Sequence, residues 1–397
     1  MPAPKEAQVT DLLSDALSSA VTKYSGPSRR PPNGPDELIG RTPSIDSEEL
    51  AILREEIETS DHCASFIGQD LIWGGRSVNL NAGNLAWWLV ERAASTSPSQ
   101  AVHDLAAFGS RDSVPGSVAL AIAGPEVKDP ATLSNRVSLK RIADAPASMS
   151  VQPAQAISNG LVLGTWPTCV LVAQHKTPYP VGSEGKADAS SQGAELKAIR
   201  QDLNDTRLGL LLASYGGAIV HSYWAAPDED IPCANRLAQH GQGLQADQPA
   251  TTFIRKEGIA DLERFLQLEG AQELRTKTVL RYLNEAIVTA QVTTKAVALG
   301  TALEVMFCPK GNTSELSFRI SVAAARYLGT TDHERKELFT TCKKAYGLRS
   351  KAVHSGHVDN DPTAASRLLD AGQDMLFRAL TKFVRTPIDD WTAIILE

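Results

Sequence analysis

Apolar positions recur at helical spacing at both ends of the chain, with shorter β-like runs between them. Near the start, Leu12, Leu13, Ala16, Leu17, Ala20 and Val21 form a weak amphipathic stripe. It reads either as a partner-binding arm or as a helix that packs at the periphery. Pro27, Pro31, Pro32, Pro35 and Pro43 follow, a composition that holds no regular element. Residues 1–46 are therefore expected to be a flexible arm and linker.

From 47 to 250 the signals alternate. Helical spacing predicts helices over Glu48–Thr59, Leu85–Ala94 and Glu195–Ser214, the last stopped by Gly216–Gly217. Apolar runs predict strands at Ser117–Ala123, Val137–Ile142, Cys169–Ala173 and Ala218–Trp224, and Thr177–Gly193 reads as a loop. Helices laid on a sheet give an α+β domain. No repeat and no phosphate-loop motif occurs in it, and the pattern leaves its role open between sensing a trigger and positioning a substrate.

After residue 250 the pattern is helical throughout. One helix is expected over Gly258–Leu268 and a long one over Leu280–Phe307, ended by Pro309 and Gly311. Asn312 with Glu315, and Thr331 with Glu334, have the spacing of capping boxes that open two further helices. Gly356 is placed to end the second of these. Asp361 followed by Pro362 then starts a final helix to about Val384. Five helices on short loops predict a bundle over residues 251–397.

Composition changes this picture in two respects. The five cysteines, Cys63, Cys169, Cys233, Cys308 and Cys342, are dispersed with no CxxC pair, as expected of reduced thiols in a cytoplasmic protein. No apolar run approaches a membrane span, and the first ten residues lack the pattern of a secretion signal. The net charge of −7 argues against nucleic acid, but its distribution does not. Residues 251–397 hold 20 Lys and Arg against 18 Asp and Glu, leaving 19 against 28 for residues 1–250. From Arg335 to Lys351, six cations (Arg335, Lys336, Lys343, Lys344, Arg349 and Lys351) stand against Glu337 alone. Such a stripe reads equally as a dock for a phosphate backbone and as a solvated helix face.

The segment from Lys343 to Gly356 carries the clearest chemical signal: Tyr346, then Arg349-Ser350-Lys351, then Val353-His354 and a small-residue turn. It resembles the signature of the HEPN superfamily, an Arg followed after four to six residues by a His late in a helical bundle. The flanking residues are similar to the Apea-like HEPN branch, as are Ala302–Phe307 and the Ala-rich Ser321–Leu328. The resemblance covers roughly the last 120 residues of the chain. Spacing alone is a poor criterion, since Arg326 and His333 satisfy it too, but they straddle Gly329 and the cap at Thr331. What the resemblance implies is an all-α HEPN bundle and an RNA-cleaving activity, with Arg349 and His354 catalytic. Ser350, Lys351, Lys343, Lys344, Tyr346 and Glu304 would then be supporting or RNA-contact residues.

On a straight helix five residues turn about 500°, which leaves Arg349 and His354 about 140° and about 7.5 Å apart. They pair within one protomer only if the helix bends near Gly347 or ends early; a two-fold axis would otherwise gather two of each in one cleft. The resemblance implies a homodimer. RNA supplies its own 2′-hydroxyl nucleophile, so neither metal nor other cofactor is called for, and the family implies 2′,3′-cyclic phosphate and 5′-hydroxyl ends. The expected partners are RNA, tRNA or another structured RNA among them, a second copy of the chain, and a phage-derived trigger or an antitoxin. The family's association is with anti-phage defence and toxin-like growth arrest.

Rival readings of the same residues are a dimeric module that binds RNA or a partner without cutting, and the toxin of a toxin–antitoxin pair. His354 and His357 with Asp359 or Asp361 make a weak metal set, split by Gly356. His175, His221 and His240 read as structural or surface histidines. Trp87 and Trp88 diverge by about 100° on a helix, so one of them is free to mark an interface or groove.

Overall fold

The computed structural model describes residues 4–24, 47–60, 63–146, 166–178, 189–243, 249–308, 315–358, 361–388 and 391–396. The described strands all lie between Asp70 and Phe253, interleaved with helices, and the regular structure beyond is helical, in a mixed α/β chain consistent with the α+β expectation. The proline-rich segment of the expected linker lies outside the described residues.

The first helix, α1 (Pro4–Lys23), buries Leu13, Leu17 and Ala20. It packs against α2 (Ser47–Thr59), α3 (Ala82–Ser95) and α4 (Pro98–Phe108), which settles its role as packing rather than as a free arm. Asn81 caps α3 by accepting from the Asn84 N–H at 3.0 Å. Helix α4 was not foreseen, although Ser97 caps it and Pro98 stands at its first position. Between α2 and α3 a hairpin of β1 (Asp70–Trp73) and β2 (Arg76–Asn79) turns at Gly74–Gly75.

The main sheet has six strands in the order β5-β6-β7-β3-β8-β9, every neighbouring pair antiparallel. Its centre is β3 (Ser113–Ala123), flanked by β7 (Cys169–Pro178) and β8 (Ile219–Pro227). The rest are β5 (Ala131–Thr132), β6 (Ser138–Arg141) and β9 (Gln239–Gln242), the last preceded by the short helix α6 (Ala234–Leu237). All four predicted strands are present. Alternation divides the faces. Val118, Leu120, Ile122 and Leu171 join the main core, while Ala119, Ala121, Val170, Val172, Trp224 and Ala226 form a smaller cluster behind. A separate parallel bridge joins β4 (Pro125–Glu126) to β10 (Thr252–Phe253).

Helix α5 (Ala189–Ser214) begins earlier than predicted, and β7 ends at Pro178, so both ends of the expected Thr177–Gly193 loop belong to regular structure. It packs on β3 and β7 and also on α7 (Lys256–Leu266) and α8 (Gly270–Val288). Glycines bring the backbones of α5 and α7 close: a Cβ on Gly258 would stand 2.5 Å from the Ala213 carbonyl oxygen, and one on Gly209 2.1 Å from Leu262. Buried side chains from Leu13 to Trp391 form one contiguous cluster across both halves.

The single long helix expected over Leu280–Phe307 is two helices, α8 and α9 (Val292–Phe307), broken at an extended Thr289. No Gly or Pro marks the break. The β-branched residues around it (Ile287, Val288, Thr289, Val292, Thr293) hold a helix poorly, and the break lets α9 pack back along α8. Apolar on nearly every side, α9 is the central helix, touching α8, α10, α11 and α12. Helix α10 (Leu316–Leu328) starts directly after Glu315, which has φ of 53° and is not at a third helical position; Asn312 lies outside the described residues. The predicted Thr331 cap holds, accepting from the Glu334 N–H at 3.2 Å. The Glu334 carboxylate, however, reaches back to Thr330 rather than to Thr331. Helix α11 (Asp332–Ser355) ends on left-handed Gly356, and Asp361 caps α12 (Pro362–Arg385), both as predicted. With α13 (Trp391–Leu396), seven helices rather than five lie beyond residue 250 among the described residues. No helix among them is long and apolar enough to cross a membrane.

Candidate functional site

Helix α11 is unbroken from Asp332 to Ser355 and runs through Gly347, so by regular helical geometry Arg349 and His354 stand about 140° apart around the axis and about 7.5 Å along it. Within one protomer they do not meet. Arg349 turns toward α9 and His354 toward solvent.

Arg349 is held on three sides. Its Nη2 lies 3.4 Å from Glu304 Oε1, its guanidinium stands 5.8 Å from the centre of the Tyr346 ring, and its stem lies on the bare backbone of Gly300. The Tyr346 hydroxyl donates to Glu304 Oε1. Glu304 therefore receives a phenol from position 346 and faces a guanidinium from position 349, one turn apart on α11. Burial first, and then the bond to Glu304, push the Tyr346 phenol above its ordinary range, so it stays a protonated donor. The Arg349 side chain keeps 29% of its surface exposed, while its Nε is buried without a partner.

His354 is exposed in the last turn of α11, two residues before the Gly356 cap. Ser350, Lys343, Lys344 and Lys351 are exposed on the same helix. Lys343 Nζ lies 5.7 Å from the Phe339 ring centre, and Phe339 meets the exposed Phe318 edge to face at 5.8 Å. By helical geometry Lys343, Ser350 and His354 fall within about 40° of one another around the axis. Gly347 lies between them, and a Cβ there would meet nothing within 4 Å.

The other candidates have ordinary partners. His357 Nδ1 is 2.9 Å from the Ser355 carbonyl oxygen, and Asp361 is engaged as a helix cap. Asp359 lies outside the described residues, which contain no cluster of three or more His, Cys, Asp or Glu able to hold a metal. Arg326 and His333 sit on different helices, and His333 approaches Glu337 at 3.3 Å. Trp88 is buried and Trp87 half-buried beside a hollow of about 280 Å³ with Glu91 and Asn235. His175 is buried against Trp73, ring centres 5.2 Å apart, with neither ring nitrogen hydrogen-bonded.

Sequence reasoning missed Gly300, whose position inside an apolar helix was the available sign of close approach. It also missed a group of cations on α10, α11 and α12 far apart in the chain. Compared with family models, with curated proteins and with solved structures, the chain gives no match.

Proposed function

We propose that the C-terminal helices form a metal-independent HEPN-type endoribonuclease module whose site is completed by a second copy of the chain. The observation that carries this reading is the posture of α11. It fixes Arg349 through Glu304, Tyr346 and Gly300 and leaves His354 exposed on a face with Lys343 and Ser350. Two such helices related by a two-fold axis would offer two imidazoles and two guanidiniums to one phosphodiester.

The chemistry uses each group for what it does best. One imidazole takes the proton of the 2′-hydroxyl, whose oxygen attacks the adjacent phosphorus. The bond from phosphorus to the 5′-oxygen breaks, and an imidazolium returns a proton to that oxygen. Arg349, always charged, faces the oxygens on which negative charge builds. Lys343, Lys344 and Lys351 would hold the flanking backbone, and the gap over Gly347 lets a strand lie against the helix. Anti-phage defence, with a phage-derived trigger acting through the sheet-bearing half, is the biological setting of this reading in a cytoplasmic protein.

The full-length protein incubated with tRNA or another structured RNA in EDTA should generate 2′,3′-cyclic phosphate ends. His354→Ala and Arg349→Ala should each abolish this while the dimer persists in light scattering. Cleavage unchanged in both variants, or a strictly monomeric active protein, refutes the proposal. A second reading, an RNA- or partner-binding dimer without cleavage, is favoured by the contact of Glu304 with Arg349, since a neutralised guanidinium is a weaker electrophile. It predicts RNA binding by the wild type with no cut ends. As a toxin, the chain would arrest growth unless its antitoxin is supplied.

A further inference from the structure

At the other end of α11, about 28 Å from His354 along the helix, a pocket of about 500 Å³ is lined by Arg326, Tyr327, Arg335, Lys382 and Ile394. Three of these five residues are cations and none is an acid. They come from α10, α11 and α12, so the charge is assembled by the fold and not by a run in the sequence.

Each cation is oriented by a neutral carbonyl. Arg335 Nε donates to Gly329 O at 3.2 Å, Lys382 Nζ to Tyr327 O at 2.5 Å, and Arg326 Nη1 to Ile394 O at 3.4 Å. No described carboxylate stands within ion-pair distance of any of the three. Neighbouring cations differ: Arg378 is matched by Glu334 at 2.8 Å and Arg385 by Asp261 at 2.7 Å. Glu334, beside Arg335 in sequence, is occupied by Arg378 and by Thr330. Lys382 Nζ also lies over the Tyr327 ring, 4.6 Å from its centre, so the three lining cations are positioned while no described carboxylate compensates their charge. A second sign is the Tyr327 hydroxyl, which is buried and has no hydrogen-bond partner although its residue lines the pocket. Leaving a buried hydroxyl unsatisfied is destabilising unless something completes it.

We propose that this pocket binds a phosphorylated small molecule, its phosphates held by Arg326, Arg335 and Lys382 and hydrogen-bonded by Tyr327. Three cations call for more than a single carboxylate, and forked guanidiniums suit phosphate oxygens. The volume falls in the range of small-ligand sites, which favours a nucleotide-sized molecule over a nucleic-acid strand. The site is separate from Arg349 and His354, and it stands whether or not the chain cuts RNA.

Isothermal titration of the full-length protein in chloride buffer, with pyrophosphate and with ATP as probes, tests this. Saturable binding of at least one probe, one per protomer, is expected. Arg335→Gln and Lys382→Gln should each weaken it at least tenfold, Arg326→Gln and Tyr327→Phe about threefold, and Lys197→Gln, an exposed site on α5, should leave it unchanged. Arg326 is exposed, so its charge reversal, Arg326→Glu, supplies a variant whose folding is not at stake; it should abolish binding with the circular dichroism spectrum unaltered. The proposal is overturned if neither probe binds at millimolar concentration, or if Arg335→Gln and Arg326→Glu bind as the wild type does. A short single-stranded RNA that binds more tightly than ATP through these same residues would overturn the small-molecule assignment.

Discussion

The stem of Arg349 rests on Gly300 so closely that a methyl group on that glycine would lie 2.4 Å from Arg349 Cγ and 2.5 Å from its Cβ. Neither α9 nor α11 can give way cheaply, because both are packed into the central core. Gly300→Ala should therefore push the guanidinium away from Glu304 and cost about 1–3 kcal/mol of stability. Urea unfolding measures the loss. If RNA cleavage is confirmed, the same variant should lose activity nearly as far as Arg349→Ala; full activity with a displaced guanidinium would detach Arg349 from the chemistry.

Tyr346→Phe separates orientation from charge. The ring and its packing remain, but Glu304 loses a donor. Stability should change by no more than about 1.5 kcal/mol. Cleavage should fall a few-fold, against the hundredfold or greater loss expected of Arg349→Ala, with single-turnover rates as the measurement.

Asp261 tests the tie between the helices rather than the site. It is almost fully buried on α7 and accepts from Arg385 Nε and Nη2 at 2.7 Å each and from Arg264 at 2.9 Å. Asp261→Asn keeps the shape and removes the charge, which should destabilise the chain by about 1–3 kcal/mol, tempered by the exposure of both arginines. An unchanged denaturation midpoint would show that the clamp is dispensable.

Histidines in the sheet half make stability depend on pH. Burial pushes both His175 and His221 below the ordinary value of 6.5, with Glu195 partly opposing the shift at His175. In the window from 6.5 downward to their folded values, the unfolded chain binds protons that the folded chain does not. Stability therefore falls as pH falls through that window and is flat above it. Thermal melts between pH 7.5 and 5.5 should show the decline, and His175→Phe should reduce its slope while His221 keeps the remainder. An unaltered slope in that variant would assign the effect elsewhere.

What could be read from the sequence, and what could not, follows the range of the interactions. Helix ends are local events, so Thr331, Gly356 and Asp361 with Pro362 announced theirs correctly. Strands written as short apolar runs were legible for the same reason. The break at Thr289 was not, because β-branched residues only weaken a helix slightly and the surface that α9 gains by turning back exists only in the fold. Arg349 and His354 stand out by spacing and flanks only as candidates, whereas the contact that Gly300 makes depends on which helix crosses it. The cations at 326, 335 and 382 become neighbours only after three helices have packed, and nothing in their separation along the chain foretells it.

Helix α1 has a consequence for how the chain is made. Its principal neighbours, α2, α3 and α4, all lie before residue 109. As synthesis proceeds, the apolar stripe of Leu13, Leu17 and Ala20 can find shelter long before β8 or α12 has left the ribosome. These four helices are thus able to nucleate a compact unit with short-range contacts, onto which the slower six-stranded pairing can be laid.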